Sequence, residues 1–213
     1  MTSESIDIIN ALALLTNFVI LPALSYGSQL ALGALAVTLV YSILRFSNFA
    51  QGDSMAFGTM LVILISSYMI SRGWTITGIP TALLAIPLAL IGMSIYLLTM
   101  DRLVYRHYRR IKAKSIVGIS ASIGVMFVTG GIVRFVLGAS AQRFGDGERF
   151  IFSVREFKAF TGLEQGIAFK TSQFLTITLA ILLVAFLFYF LQKTKTGKAM
   201  RAYSDNKELA LLS

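Results

Sequence analysis

Apolar positions in this chain arrive in long, nearly charge-free runs rather than in the narrow stripes of a water-soluble helix. The runs cover residues 6–24, 29–44, 55–70, 81–100, 116–137 and 174–191. A bilayer-spanning helix takes roughly 17–25 predominantly apolar residues. The pattern therefore predicts an all-α, polytopic transmembrane helical bundle with about six membrane segments. The second and third runs sit near the minimum length. Pro22 and Gly27 predict a very short, uncharged connection between a first and a second helix. Pro87 lies inside the fourth run and predicts a kink, because its ring removes one backbone hydrogen bond. Trp74, after Arg72-Gly73, marks an interfacial helix end.

Composition agrees with the pattern. Hydrophobic residues make up 56% of the 213 residues and charged ones 14%, with a mean hydropathy of +0.75. Soluble domains carry about 25% charged residues, so this chain lacks the groups to cover itself in water. The net charge of +9 raises the question of nucleic acid, but its distribution answers it. Arg102, Arg106, Arg109, Arg110, Lys112 and Lys114 form one cluster; Lys193, Lys195, Lys198, Arg201 and Lys207 form another. Both abut apolar runs, where lysine and arginine mark the cytoplasmic face. The charge is a topology signal, and no nucleic-acid partner is expected. Cysteine is absent and His107 is the one histidine. No disulfide, metal site or nucleophilic triad is expected, and no phosphate-binding Gly-x-x-x-x-Gly-Lys-Ser/Thr loop is present. The chain does not read as an enzyme. The N-terminus has Glu4 and Asp7 but no basic residue before the first run, unlike a cleavable signal peptide, so that run reads as a retained helix.

Three segments could carry chemistry. Residues 45–53 place Arg45, Asn48, Gln51 and Asp53 between two short apolar runs. They are either a bend lining a substrate path, with Asn48 and Gln51 as hydrogen-bonding groups and Gly52 as the turn, or an ordinary loop. Residues 116–137 contain Gly118, Ser120, Ser122, Gly124, Gly130 and Gly131. Small residues three and four apart let membrane helices pack closely; Ser120 or Ser122 could also line a path. Residues 193–213 follow the last run with a polar and apolar mixture. Met200, Tyr203 and residues 209–212 would form one face of a short helix outside the membrane, entered at Gly197 and re-initiated at Ser204 or Asp205. Between residues 138 and 171 the charges balance, Gly145-Asp-Gly147 signals a turn, and residues 150–154 alternate as a short strand. This is expected to be an extramembrane loop with a little β structure on the outer, periplasmic side.

These segments resemble a known family. Gly33-Ala-Leu-Ala-Val-Thr-Leu-Val-Tyr41 followed by Asn48-Phe-Ala-Gln-Gly52 is similar to the second-helix signature of the LivH-type permeases of branched-chain amino-acid ABC transporters. Asp101-Arg-Leu-Val-Tyr-Arg106 resembles their motif ahead of the small-residue helix, and Ser120-Ala-Ser-Ile-Gly124 the start of that helix. Thr196-Gly-Lys-Ala-Met-Arg-Ala202, with Asp205, Asn206 and Ala210, looks like their ATPase-coupling segment. The family usually has histidine where Gln51 stands and proline where His107 stands, and its chains continue past Ser213. The resemblance implies one transmembrane permease domain over 1–213, incomplete at its C-terminus, with a periplasmic loop at 138–171 and a cytoplasmic coupling segment at 193–213.

It also implies partners: a second permease subunit, two cytoplasmic ATPase subunits and a periplasmic substrate-binding protein, in the bacterial inner membrane. ATP would be used by the partners, with no cofactor on this subunit. Asn48, Gln51, Gly52, Ser120 and Ser122 are the expected pathway residues. Thr196, Gly197, Arg201, Ala202 and Asp205 are the expected coupling residues. A permease for urea or short amides shares these motifs. An ion-driven secondary transporter would need an intramembrane carboxylate, and no Asp or Glu lies within an apolar run except Asp7 at the edge of the first. A purely structural scaffold would need neither the polar break nor the final segment. Four crossings before the basic 101–114 loop would leave the N-terminus inside.

Overall fold

The computed structural model describes residues 3–44, 46–76, 79–111, 113–138, 140, 142, 150–152, 154–161 and 167–205. In order, the elements are α1 (Ser3–Leu15), a π turn (Thr16–Ile20), α2 (Leu21–Leu44), α3 (Gln51–Ser71) and α4 (Thr81–Met100). A second π turn (Asp101–Tyr105), α5 (Arg106–Arg110), α6 (Ser115–Leu137), β1 (Phe150–Phe152) and α7 (Val154–Thr161) follow. The order ends with β2 (Phe169–Lys170), α8 (Thr171–Lys193) and α9 (Lys195–Asp205). Five helices are long and apolar enough to cross a membrane: Asp7–Leu44, Gln51–Ser71, Thr81–Arg110, Ser115–Leu137 and Thr171–Lys193.

The all-helical class is as expected, but the span count is five because the expected break at Pro22 and Gly27 is absent. α1 and α2 form one continuous element of 38 residues from Asp7. The π turn before Pro22 explains this. The Leu21 N–H reaches back to the Thr16 carbonyl, so one extra residue is looped out ahead of the proline. That widened turn makes room for a ring that would otherwise press on the carbonyl one turn below. Gly27 has open space around it and no positive φ, so it imposes no turn. At 1.5 Å per residue the element is about 57 Å long, nearly twice a hydrocarbon core of about 30 Å. α4 also runs without interruption through Pro87.

The chain divides into two compact units, residues 1–39 with 148–213, and residues 40–147. In the second unit α3 and α4 pack antiparallel: Phe57 stacks on Tyr96 with ring centroids 4.0 Å apart, and Gly92 makes room for the Leu61 side chain. α6 packs on the same α3. Apart from Met60, Tyr96 and Val125, the buried side chains here are small: Ala50, Ser54, Ser66, Thr81, Ala85, Ala89, Ser122 and Thr129. Many large apolar ones face out, Phe135 at 92% exposure and Phe127 and Leu98 at 69%. In water this inside-out arrangement would be ruinous; in lipid it is the ordinary one, since close helix approach replaces hydrophobic burial as the packing force. The Tyr96 and Thr129 hydroxyls are hydrogen-bonded to each other, and Thr129 also donates to the Val125 carbonyl at 2.7 Å. Their polarity is thereby satisfied between helices.

In the first unit, β1 and β2 pair antiparallel, with Phe150 opposite Lys170 and Phe152 opposite Phe169; the strand expected at 150–154 is present over Phe150–Phe152, whereas Val154 already opens α7. Asn17, inside the first π turn, accepts the Ala168 N–H at 3.2 Å and ties the approach to β2 onto the long helix. The Gly145–Gly147 turn and the apolar group at 209–212 lie outside the described residues.

Candidate functional site

The polar stretch forms a true break between α2 and α3, and side chains hold it. Asn48 Oδ1 accepts the Ala50 N–H at 3.2 Å, a local turn typical of asparagine. It also accepts the Tyr105 hydroxyl at 3.1 Å, from the second π turn. The Phe49 N–H donates to Ser122 Oγ at 3.2 Å, and that hydroxyl donates onward to the Ile119 carbonyl at 2.7 Å. Phe46 lies against Gly118, where a Cβ would stand 3.0 Å from the ring. α3 then starts at Gln51, with Ser54 Oγ donating to the Ala50 carbonyl at 2.7 Å. Non-helical backbone beside membrane helices survives only when its polar groups are satisfied by protein or by a wet cavity. Here Asn48, Ser122 and Tyr105 supply much of that satisfaction.

The expected pathway residues thus separate by environment. Asn48 and Ser122 meet at the break; Ser122 is fully buried and Asn48 is partly buried beside its bonds. Gln51 is partly buried, and Gly52 is exposed with open space beside it. Ser120 lies on the other side of α6, exposed, its hydroxyl donating to the Ile116 carbonyl. Two small-residue faces were legible on this helix, Gly118 with Ser122 and Ser120 with Gly124. The first, continued through Val125 and Thr129, is buried; the second is open.

Sequence reasoning passed over Tyr105, Phe46 and above all Asp53. The third apolar run was counted from residue 55, which left Asp53 in a connection. The helix begins at Gln51, so Asp53 lies within a candidate span. Its Oδ1 stands 3.0 Å from where a Cβ on Gly130 would be. Gly130 is about 22 Å along α6 from Ser115, well into an apolar helix. Asp53 thus lies outside the apolar run of residues 55–70 and yet inside a candidate span, as Asp101 does in Thr81–Arg110. Aspartate is favoured in a first helical turn by the macrodipole, and that preference is what lets the helix start ahead of the apolar run.

A second construction lies at the junction of α8 and α9. Thr194 is extended (φ −83°, ψ 152°) and separates the two helices. Its Oγ1 accepts the Gly197 N–H at 3.0 Å, the bond of an N-cap, and donates to the Phe190 carbonyl at 2.7 Å. α9 therefore starts at Lys195, two residues before the expected entry at Gly197, and runs unbroken to Asp205. Gly197 is buried in its first turn: a Cβ there would overlap the Phe190 carbonyl oxygen and stand 2.6 Å from Leu191 Cα. Thr196, Arg201, Ala202 and Asp205 are all exposed, the last three on one face with Lys198.

Residues 19–213 match the sequence family described as "Branched-chain amino acid transport system / permease component". The chain is 25% identical over 193 residues to the "High-affinity branched-chain amino acid transport system permease protein LivH" of Salmonella typhimurium, covering 87% of this chain and 58% of that one. The protein of the same name from Escherichia coli K12 is 24% identical with the same coverage. The "Probable branched-chain amino acid transport permease protein LivH" of Methanocaldococcus jannaschii is 27% identical, covering 88% of this chain and 55% of that one. The chain thus spans somewhat more than half the length of the curated relatives it matches. No solved structure matches it significantly.

Proposed function

Because the chain belongs to the family described as the permease component of branched-chain amino acid transport systems, we propose that it is a membrane-spanning subunit of an ATP-driven importer of hydrophobic amino acids. The observation that carries this reading is the family match over residues 19–213, laid on a chain with five candidate spans. The membrane is the bacterial inner membrane, with the two basic segments inside. Five crossings rather than six then turn the Ser3 end outward, where Glu4 and Asp7 without a basic neighbour are better suited than inside. The loop of residues 138–171 faces a periplasmic binding protein. The break at Asn48–Gly52 borders the path, which a second permease subunit completes. α9 presents Arg201, Ala202 and Asp205 to one of two cytoplasmic ATPase subunits. This subunit holds no cofactor, ATP being hydrolysed by the partners.

The reading is tested by uptake into proteoliposomes containing this protein with the permease, ATPase and binding-protein subunits encoded beside it. Labelled leucine accumulates, and excess isoleucine or valine suppresses it while urea and acetamide do not. Accumulation of labelled urea or acetamide without leucine would establish the short-amide reading instead.

A further inference from the structure

We infer that Asp53 is a specificity-determining residue of the translocation path, its carboxylate receiving the ammonium group of the passing amino acid. The inference rests on the amino-acid importer reading given above and adds a recognition chemistry to it. A carboxylate at the centre of a membrane helix costs about 2.5–3.5 kcal/mol on insertion scales; in the first turn of α3 the macrodipole offsets part of such a cost for Asp53, but no side-chain partner among the described residues adds to that. Asp101, the other carboxylate described in the unit, is held by Arg109 through two bonds of 2.6 and 2.7 Å. Asp53 has neither an ion pair nor a side-chain hydrogen bond among the described residues. It is only partly buried, so its oxygens reach open space rather than being sealed in the packing.

Its position is also shaped. Gly130 is buried, and its missing side chain is what admits the carboxylate. Phe57, one turn further along α3, stacks on Tyr96 and places an aromatic wall next to the same face. The Tyr96 hydroxyl is committed to Thr129, leaving the carboxylate as the available charged acceptor. An ammonium group satisfies such a site by charge-assisted hydrogen bonds. A neutral urea or amide would gain far less there, so the residue would favour amino acids over the substrates of the rival reading. The helix-terminal preference for aspartate explains why the residue is tolerated in α3, but it would be served equally by an acid buried or paired.

The chain has no cysteine, so Asp53→Cys carries a unique thiol. In the reconstituted importer, Asp53→Asn and Asp53→Cys are expected to lower leucine uptake roughly 10- to 100-fold, the loss of a hydrogen bond to a charged partner. Subunit assembly is retained, and Asp53→Glu restores most of the uptake. Treating Asp53→Cys with a thiosulfonate bearing a carboxylate recovers transport, whereas a neutral reagent of equal size does not. Full uptake by Asp53→Asn overturns the proposal, and so does equal rescue by both reagents, which would make the role steric. A wild-type complex that carries no amino acid instead sinks the functional reading itself, and is seen before any variant is made.

Discussion

Replacing Gly197 with alanine is expected to abolish ATP-driven uptake while the spans still insert. The added methyl has no room: it falls on the Phe190 carbonyl and within 2.6 Å of Leu191 Cα, both backbone atoms of the preceding helix. Flexible side chains can yield to a new methyl, but backbone can yield only if α9 rotates away from α8. Overpacking of this kind costs typically 1–3 kcal/mol. Movement of α9 also breaks the Gly197 N–H bond to Thr194 Oγ1. The exposed face of Lys198, Arg201, Ala202 and Asp205 would then be turned from its partner. Uptake and co-purification of the ATPase subunits should both be lost, with insertion measured separately by protease fragments. A control substitution, Ala199→Ser, exposed in the same turn but off that face, should leave both close to wild type. Normal uptake by Gly197→Ala would remove α9 from the coupling role.

Ser122→Leu is expected to destabilise the permease more than any conservative change in α6. Ser122 has 0% exposure and its hydroxyl holds the Phe49 N–H of the break. Alanine at this position leaves that N–H without its acceptor, a loss of about 1–3 kcal/mol. Leucine adds bulk one turn from Gly118, where the Phe46 ring already stands at contact distance. The break would have to open or α6 withdraw. Thermal unfolding of the detergent-solubilised protein should fall modestly for Ser122→Ala and steeply for Ser122→Leu. Ser120→Leu, on the open face of the same helix, should be nearly neutral. Equal effects at the two serines would contradict the packing described.

These effects show which features were legible in the chain. The spans at 116–137 and 174–191 could be read to within about three residues, because bilayer thickness imposes a length that few other constraints blur; the one that begins at Thr81 continues past residue 100 to Arg110. Pro22 with Gly27 misled, because a proline inside a membrane helix need not end it, as Pro87 within α4 also shows. The π turn at Thr16–Ile20 has no strong sequence signal of its own. Asp53 was passed over for a related reason: hydropathy locates the apolar part of a helix, whereas the helix itself begins where the backbone bonds begin. At the last junction Gly197 reads as the entry of the final helix. Thr194 supplies the cap instead, and Gly197 is needed for clearance. Which small face of α6 packs was also hidden, since Gly118/Ser122 and Ser120/Gly124 have the same spacing and differ only in what lies opposite.

Asp53 makes the energy source the decisive question, because a carboxylate within a membrane helix is also what an ion-driven carrier would require. The most direct measurement is leucine accumulation in proteoliposomes of the assembled importer, with ATP supplied on the α9 side and proton and sodium gradients collapsed. Accumulation that persists without the gradients and stops when ATP is withheld is the predicted result. Accumulation that follows a proton or sodium gradient and ignores ATP would contradict the assignment of this chain as an ATP-driven permease.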